Sequence, residues 1–336
     1  MRVFEIQDKT GLEALTLAQR PEPSPGVGQI LLKMRAASLN YRDLMMVKGA
    51  YGSKKRLPLI PLSDAVGEVV AVGERVTRVK TGDRVAGIFF QKWVAGERTE
   101  AIASSALGGA IDGLLAEYAV LDEDGVVHVP EHLSDEEAAC LPCAAVTAWN
   151  GLITQGGLKA GDTVLVQGTG GVSIFALQFA LSMGARVIAT SSSDEKLERV
   201  RKLGATDGIN YKQTADWDEK VRELTGGIGV DHVVEVGGAG TLIKSLQAVR
   251  MGGQISLIGV LSGTNGEINP FPIVMKNVRV QGIYVGSREM FEAMNRAIAL
   301  HQLRPIVDRV FPLMQAREAL AYMESGAHFG KICIRF

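Results

Sequence analysis

The residues here most able to do chemistry are glycines that follow a β-branched run and precede an apolar one. Val164-Leu165-Val166-Gln167 leads into Gly168-Thr169-Gly170-Gly171-Val172. Such a strand–turn–helix grips a diphosphate with backbone alone. Gly168 permits a tight turn, and Gly170 lets backbone come close to a pyrophosphate. A helix opening near Gly171 aims its unpaired N–H groups and positive dipole end at the anion. Ser173 stands where a third glycine is usual, a position that governs helix–strand packing more than phosphate contact. Taken alone, the motif also fits a glycine-rich turn that binds some other ligand.

A second group sharpens the reading. About 20 residues past the glycines, a dinucleotide fold meets the adenine ribose. Ser191-Ser192-Ser193 stand there, with Lys196 close behind. A carboxylate at that place would bond a free 2′-hydroxyl and repel a 2′-phosphate. Serines do not repel it, and Lys196 supplies compensating charge. NADPH is therefore expected over NADH. Ser193 is equally suited to capping the following helix, and Lys196 to being a solvated surface charge.

The elements that position these groups alternate. Strands are expected at Thr163–Gln167, Arg186–Thr190, Asp231–Val236, Gln254–Ile258 and Val278–Ile283, with helices at Val172–Met183, Asp194–Leu203 and Leu242–Val249. That alternation predicts a parallel sheet covered on both faces. From Val3 to about Asp124 the texture is different. Short apolar runs such as Gln29–Ala36, Ala65–Val72 and Arg84–Ile88 are cut by Gly and Pro, which predicts a β-rich, barrel-like domain. The last fifty residues hold helices at Arg288–Leu300 and Met314–Met323 and a strand at Lys331–Phe336. The expected fold class is α/β: a doubly wound parallel sheet plus a β-rich domain.

Composition narrows the function classes. The 336 residues suffice for two domains, and the net charge of −1 gives no field for nucleic acid or an anionic membrane. The most apolar stretch, Val172 to Met183, falls well short of the roughly 20 residues of a membrane span. Three cysteines, Cys140, Cys143 and Cys333, argue against a disulfide framework and for a reducing compartment, so a cytoplasmic location is expected.

With both halves read, the chain resembles the medium-chain dehydrogenase/reductase superfamily over essentially its whole length. Asn40-Tyr41-Arg42-Asp43, Gly49-Ala50-Tyr51-Gly52, Pro61 through Val69, Gly82-Asp83-Arg84-Val85, the turn Gly168–Val172 and Phe329-Gly330-Lys331 carry the likeness by their order and spacing. The nearest look is to its zinc-independent quinone oxidoreductase and enoyl reductase branch. The resemblance implies a Rossmann domain at 145–284 and a GroES-like catalytic domain at 1–144 plus 285–336. It also implies a substrate cleft between them and a homodimer formed through the Rossmann sheet edge.

The resemblance also assigns residues. Zinc alcohol dehydrogenases carry a Cys at the Asn40 position, a His at Asp64 and a Cys at Cys143; one thiol, one carboxylate and one amide suit zinc poorly. The four-cysteine structural zinc lobe has no counterpart, since Ile88 to Gly113 holds no cysteine. No metal is expected. Hydride addition to a quinone or an α,β-unsaturated carbonyl compound is then favoured. An alcohol dehydrogenase, or a non-catalytic NADPH-binding protein, is the alternative. By the same likeness Asn40, Tyr41 and Tyr51 line the nicotinamide and substrate cleft, with the tyrosines as proton donors, and Thr147 faces the nicotinamide end. Tyr211 nears the 2′-phosphate, Gly237, Gly259 and Val260 follow later strands of the crevice, and Lys331 reaches the pyrophosphate.

Overall fold

Over Gln29–Ser38 the side chains alternate: Leu32, Met34 and Ala36 are buried while Lys33 and Arg35 face water, the period of a strand covered on one face. This strand is central to the first of two units in the computed structural model, which describes residues 1–7, 10–50 and 57–336. The first unit comprises Met1–Val146 with Gly286–Phe336, and the second Thr147–Val285.

The first unit is β-rich. A hairpin pairs β1 (Arg2–Ile6) with β2 (Leu15–Gln19). Its main sheet contains β3 (Gln29–Ser38), β4 (Asp64–Val72), β5 (Arg84–Gly87), β6 (Tyr118–Asp122) and β7 (Val126–His128), joined by two strands from the far end of the chain, Val307–Pro312 and Lys331–Arg335. The order runs Val307–Pro312, Lys331–Arg335, β3, β4, β5, β7, with β6 also paired to β3. The distant strands belong there because their apolar faces complete one core. Phe311, Ile332 and Ile334 pack in the same buried cluster as Ile30, Leu32, Val69 and Val85. Each such side chain removed from water contributes about 1.5–3 kcal/mol.

The second unit is a wholly parallel six-stranded sheet of β8 (Thr163–Gln167), β9 (Arg186–Ser191), β10 (Asp207–Asn210), β11 (Val230–Glu235), β12 (Val249–Leu257) and β13 (Arg279–Gly282). Their order is β10-β9-β8-β11-β12-β13. Counted within the unit, that is 3-2-1-4-5-6, the Rossmann arrangement, and the order reverses between β8 and β11. The apolar runs expected as strands lie on these strands, with β12 extending further toward its start than expected. The helices Tyr41–Val47 and Trp217–Leu224, several shorter ones and strand β10 were not among the expected elements. Among the described residues no helix is long and apolar enough to cross a membrane.

Candidate active site

The glycine turn sits at the reversal point of the parallel sheet, directly after β8. Gly168 has φ 71°, a conformation that favours glycine, and its N–H donates to Thr190 O at 2.8 Å. Gly170 precedes the helix Gly171–Ser182. A Cβ built on either Gly168 or Gly170 would meet nothing within 4 Å, so the space beside both is open. Thr169 is buried, and Gly171 and Val172 form the half-buried first turn of the helix. Ser173, in the usual place of the third glycine, donates its hydroxyl to Gln167 O at 2.6 Å and ties the helix to the strand.

Two residues absent from the sequence-based candidates fasten this turn to the neighbouring loop. The Gln167 amide donates to the buried Glu235 carboxylate at 2.7 Å. Glu235 in turn accepts from the backbone of Gly237 (2.7 Å) and Gly238 (3.0 Å) and from the Thr241 hydroxyl (2.6 Å). A glutamate closing a strand directly after Val233-Val234 and before a glycine pair was the signal available in the sequence. Gly237 and Gly259 also have a packing role: an added Cβ would lie 2.2 Å from Thr241 Oγ1 at the first and 2.4 Å from Val236 O at the second. Val260, next to Gly259, is half exposed.

At the end of β9, Ser191 is buried and its hydroxyl accepts from Ser193 N at 3.3 Å. Its carbonyl accepts from Tyr211 N at 3.0 Å, which brings an exposed Tyr211 to the same strand edge. Ser192 and Lys196 are half-buried. Ser193 caps the helix Asp194–Lys202 by accepting from Lys196 N. The capping role is thus filled by Ser193 itself, and the other two serines remain at the strand end. Thr147 is buried at the start of the second unit.

The first unit gathers its polar candidates by strand pairing. Ser38 at the end of β3 lies opposite both Asp64 at the start of β4 and Cys333 of the terminal strand. Asn40, Asp64 and Lys331 therefore converge from three adjacent strand ends. Lys331, expected at the pyrophosphate, is instead only 3% exposed, and its ammonium donates to Leu39 O and Asn40 Oδ1, each at 2.6 Å. The reason is register: the terminal strand is hydrogen-bonded beside β3, so its first residue points at the chain leaving β3.

Around this ammonium the carboxyl groups are buried. Asp64 accepts from the Ser63 hydroxyl at 2.7 Å and from Cys143 N at 2.9 Å. Asp43 accepts from Asn40 N at 2.8 Å and pairs with Arg42 at 3.3 Å. Burial pushes the Asp43 carboxyl up to about 6, against the pull of Arg42. Burial also raises Asp64, and Lys331 is the largest opposing influence. The half-buried Cys143 has a thiol pushed upward by burial and by the nearby Asp64 carboxylate. Among the described residues no three His, Cys, Asp or Glu side chains come together as a metal-holding group. Tyr41 is 46% exposed at the start of the helix Tyr41–Val47; Tyr51 lies outside the described residues.

Comparison with known proteins agrees with this architecture. Residues 26–131 match the alcohol dehydrogenase GroES-like domain family, and residues 171–299 match the zinc-binding dehydrogenase family. A zinc-type alcohol dehydrogenase-like protein of Schizosaccharomyces pombe is 48% identical, over 92% of this chain and 91% of its own. A crystal structure of an NAD-dependent alcohol dehydrogenase is 34% identical with a TM-score of 0.91, covering all of both chains. A mycobacterial protein complexed with NADPH is 28% identical with a TM-score of 0.83, again covering all of both chains. A Rossmann sheet joined to a GroES-like domain, with these likenesses along its length, makes this chain an oxidoreductase of the medium-chain dehydrogenase/reductase superfamily.

Proposed function

We propose that this protein is an NADPH-dependent reductase that adds hydride to the activated C=C bond of an α,β-unsaturated carbonyl compound, or to a quinone, without zinc. The observation that carries the reading is the donor set at the polar centre. Where zinc alcohol dehydrogenases carry two cysteines and a histidine, this chain has Asn40, Asp64 and Cys143. The amide oxygen is already held by the Lys331 ammonium, and the carboxyl by Ser63 and Cys143 N. A dication there would meet a resident cation and a set with one amide, one carboxyl and one thiol in place of two thiolates and an imidazole. Zinc does not fit this set.

Without a Lewis acid, an alkoxide is poorly supported, whereas an enolate or quinol oxygen spreads its charge and needs only hydrogen bonds. NADPH supplies the hydride when bound. Gly168, Thr169, Gly170, Gly171 and Val172 hold its diphosphate through backbone N–H groups. Ser191, Ser192, Lys196 and Tyr211 surround its 2′-phosphate. Thr147, Gly237, Gly259 and Val260 serve the nicotinamide side. Asn40 offers an amide hydrogen to the substrate oxygen, and Tyr41 and Tyr51 deliver the proton that completes the reduction. The open space beside Gly168 and Gly170 supports the first assignment, and the absence of a carboxylate among the three serines supports the second.

A homodimer joined at the β13 edge belongs to the same reading, supported by exposed Phe271, Val274 and Met275 just before that strand. So does a reducing, cytoplasmic setting, supported by the small odd number of cysteines in the sequence.

A second reading, oxidation of an alcohol, is favoured by the names of the Schizosaccharomyces pombe relative and the NAD-dependent structure. The deciding experiment follows NADPH absorbance with a panel of quinones, enals, enones and simple ketones, alongside elemental analysis of the purified protein. Turnover of the conjugated substrates without stoichiometric zinc is expected. Turnover of simple ketones by a zinc-loaded protein would establish the second reading instead. Binding of NADPH without any turnover would leave only a cofactor-binding role.

A further inference from the structure

Glu235 closes β11 with no exposed surface, and every group that bonds to its carboxylate is an uncharged donor. Oε1 accepts from Gly237 N at 2.7 Å, Gly238 N at 3.0 Å and the Thr241 hydroxyl at 2.6 Å. Oε2 accepts from the Gln167 amide at 2.7 Å and from the Ser245 hydroxyl. Gln167 Oε1 accepts in turn from Val236 N at 3.3 Å. One carboxylate oxygen thus holds the loop after β11, and the other holds the strand that ends in the glycine turn.

A buried carboxylate with no cation beside it is costly, and the cost is offset only while its donors stay in place. Two successive backbone N–H groups converging on one oxygen form a nest, an arrangement in which loops hold anions. Here the chain's own side chain fills it. The same loop is tied onward: Gly237 O accepts from Ser262 N at 2.7 Å, and Ala239 N donates to Gly263 O at 3.2 Å. The loops that follow β8, β11 and β12 are therefore bonded into one frame with Glu235 at its middle. They stand at the carboxyl ends of strands next to the reversal of strand order, where a doubly wound sheet takes its ligand. An apolar residue would fill the same interior at less cost, so the carboxylate is explained by the loop geometry it imposes.

We propose that Glu235 is a positioning residue for the cofactor, locking residues 236–241 against the glycine turn before the cofactor arrives. This rests on the reading above, in which the glycine turn takes the diphosphate and Gly237 serves the nicotinamide side.

Glu235→Gln is the isosteric test. With the new amide oxygen kept on Gly237 N and Gly238 N, the new NH2 faces the Gln167 NH2. Turning the Gln167 amide over only moves the conflict to Val236 N, so two donors face each other either way. The exchange Glu235→Gln/Gln167→Glu returns an acceptor to this contact. NADPH and 2′,5′-ADP, which carries the adenosine half alone, are titrated into each protein by calorimetry. In Glu235→Gln the dissociation constant of NADPH should rise at least about tenfold while that of 2′,5′-ADP stays within about twofold. The exchange should bring NADPH back to within about threefold of the wild type. Equal loss of both ligands would mark a merely structural role and overturn the proposal. So would an unchanged NADPH affinity, or an exchange that restores nothing.

Amide hydrogen exchange without cofactor reads the loop directly. The Gly237 and Gly238 N–H groups should exchange at least about tenfold faster in Glu235→Gln than in the wild type, and equal rates would also overturn the proposal. If Glu235→Gln does not fold, Thr241→Val, which withdraws one donor from Oε1 and keeps the carboxylate, should show the same split between the two ligands. Should the wild type bind neither NADPH nor 2′,5′-ADP, the cofactor reading fails and the positioning role falls with it. The exchange rates then still show, separately, whether Glu235 holds the loop.

Discussion

The two polar regions of this protein are built on opposite plans. At the glycine turn of the second unit, backbone faces empty space: no atom lies within 4 Å of where a Cβ on Gly168 or Gly170 would stand. At the strand ends of the first unit, Asp43, Asp64 and Lys331 are almost fully buried against one another's charge. The first region, on the reading proposed above, receives its charge with a ligand. The second brings its own. A site of the first kind tolerates substitution in the absence of ligand and fails when ligand comes, whereas a site of the second kind is felt in folding itself.

Gly170→Val tests the first plan most severely. Gly170 has φ −77°, open to any residue, so the variant should unfold at the wild-type temperature while NADPH affinity falls about a thousandfold, roughly 4 kcal/mol. Gly259→Val is the internal control: its Cβ would lie 2.4 Å from Val236 O, and here the unfolding temperature itself should drop. Equal effects of the two substitutions on stability would dissolve the contrast.

The second plan is tested by acid. With a folded pKa raised from 3.8 to about 6, Asp43 takes up its proton in the folded protein before it does so in the unfolded chain. Stability from this group therefore grows as pH falls from about 6 to about 4, by on the order of 3 kcal/mol, and is absent above that window. Asp64 shifts in the same direction. In Asp43→Asn, denaturant unfolding at pH 7 and pH 4.5 should show a smaller gain toward acid than the wild type. An identical gain would remove Asp43 from the account.

The smallest expected effect concerns cofactor choice. Ser191→Asp places a carboxylate at the strand end proposed for the 2′-phosphate, and the ratio of kcat/KM for NADPH over NADH should fall about tenfold, 1.4 kcal/mol. An unchanged ratio would move the ribose pocket away from β9.

The fold was legible because strand and helix periods are local. Thr163–Gln167 is a β-branched run that became β8 residue for residue, and charged Asp194–Lys202 kept its amphipathic spacing. Trp217, Val221 and Leu224 were equally readable, since their spacing marks one face of the helix that was overlooked. The candidate site was legible in its residue types but not in its contacts. Lys331 and Asn40 touch across 291 positions of sequence, because two strands pair antiparallel, and nothing in either segment alone announces that pairing. Glu235 likewise becomes meaningful only beside Gln167, 68 positions earlier.

The terminal strand has a consequence for biosynthesis. During translation, Thr147–Val285 is finished as one continuous stretch, free to acquire its parallel sheet early. The first unit cannot close until Lys331–Arg335 slots in next to β3. Nascent protein therefore passes through an interval in which the parallel sheet exists while Asn40 still lacks its ammonium partner, and chains stopped short of position 331 stay in that condition permanently.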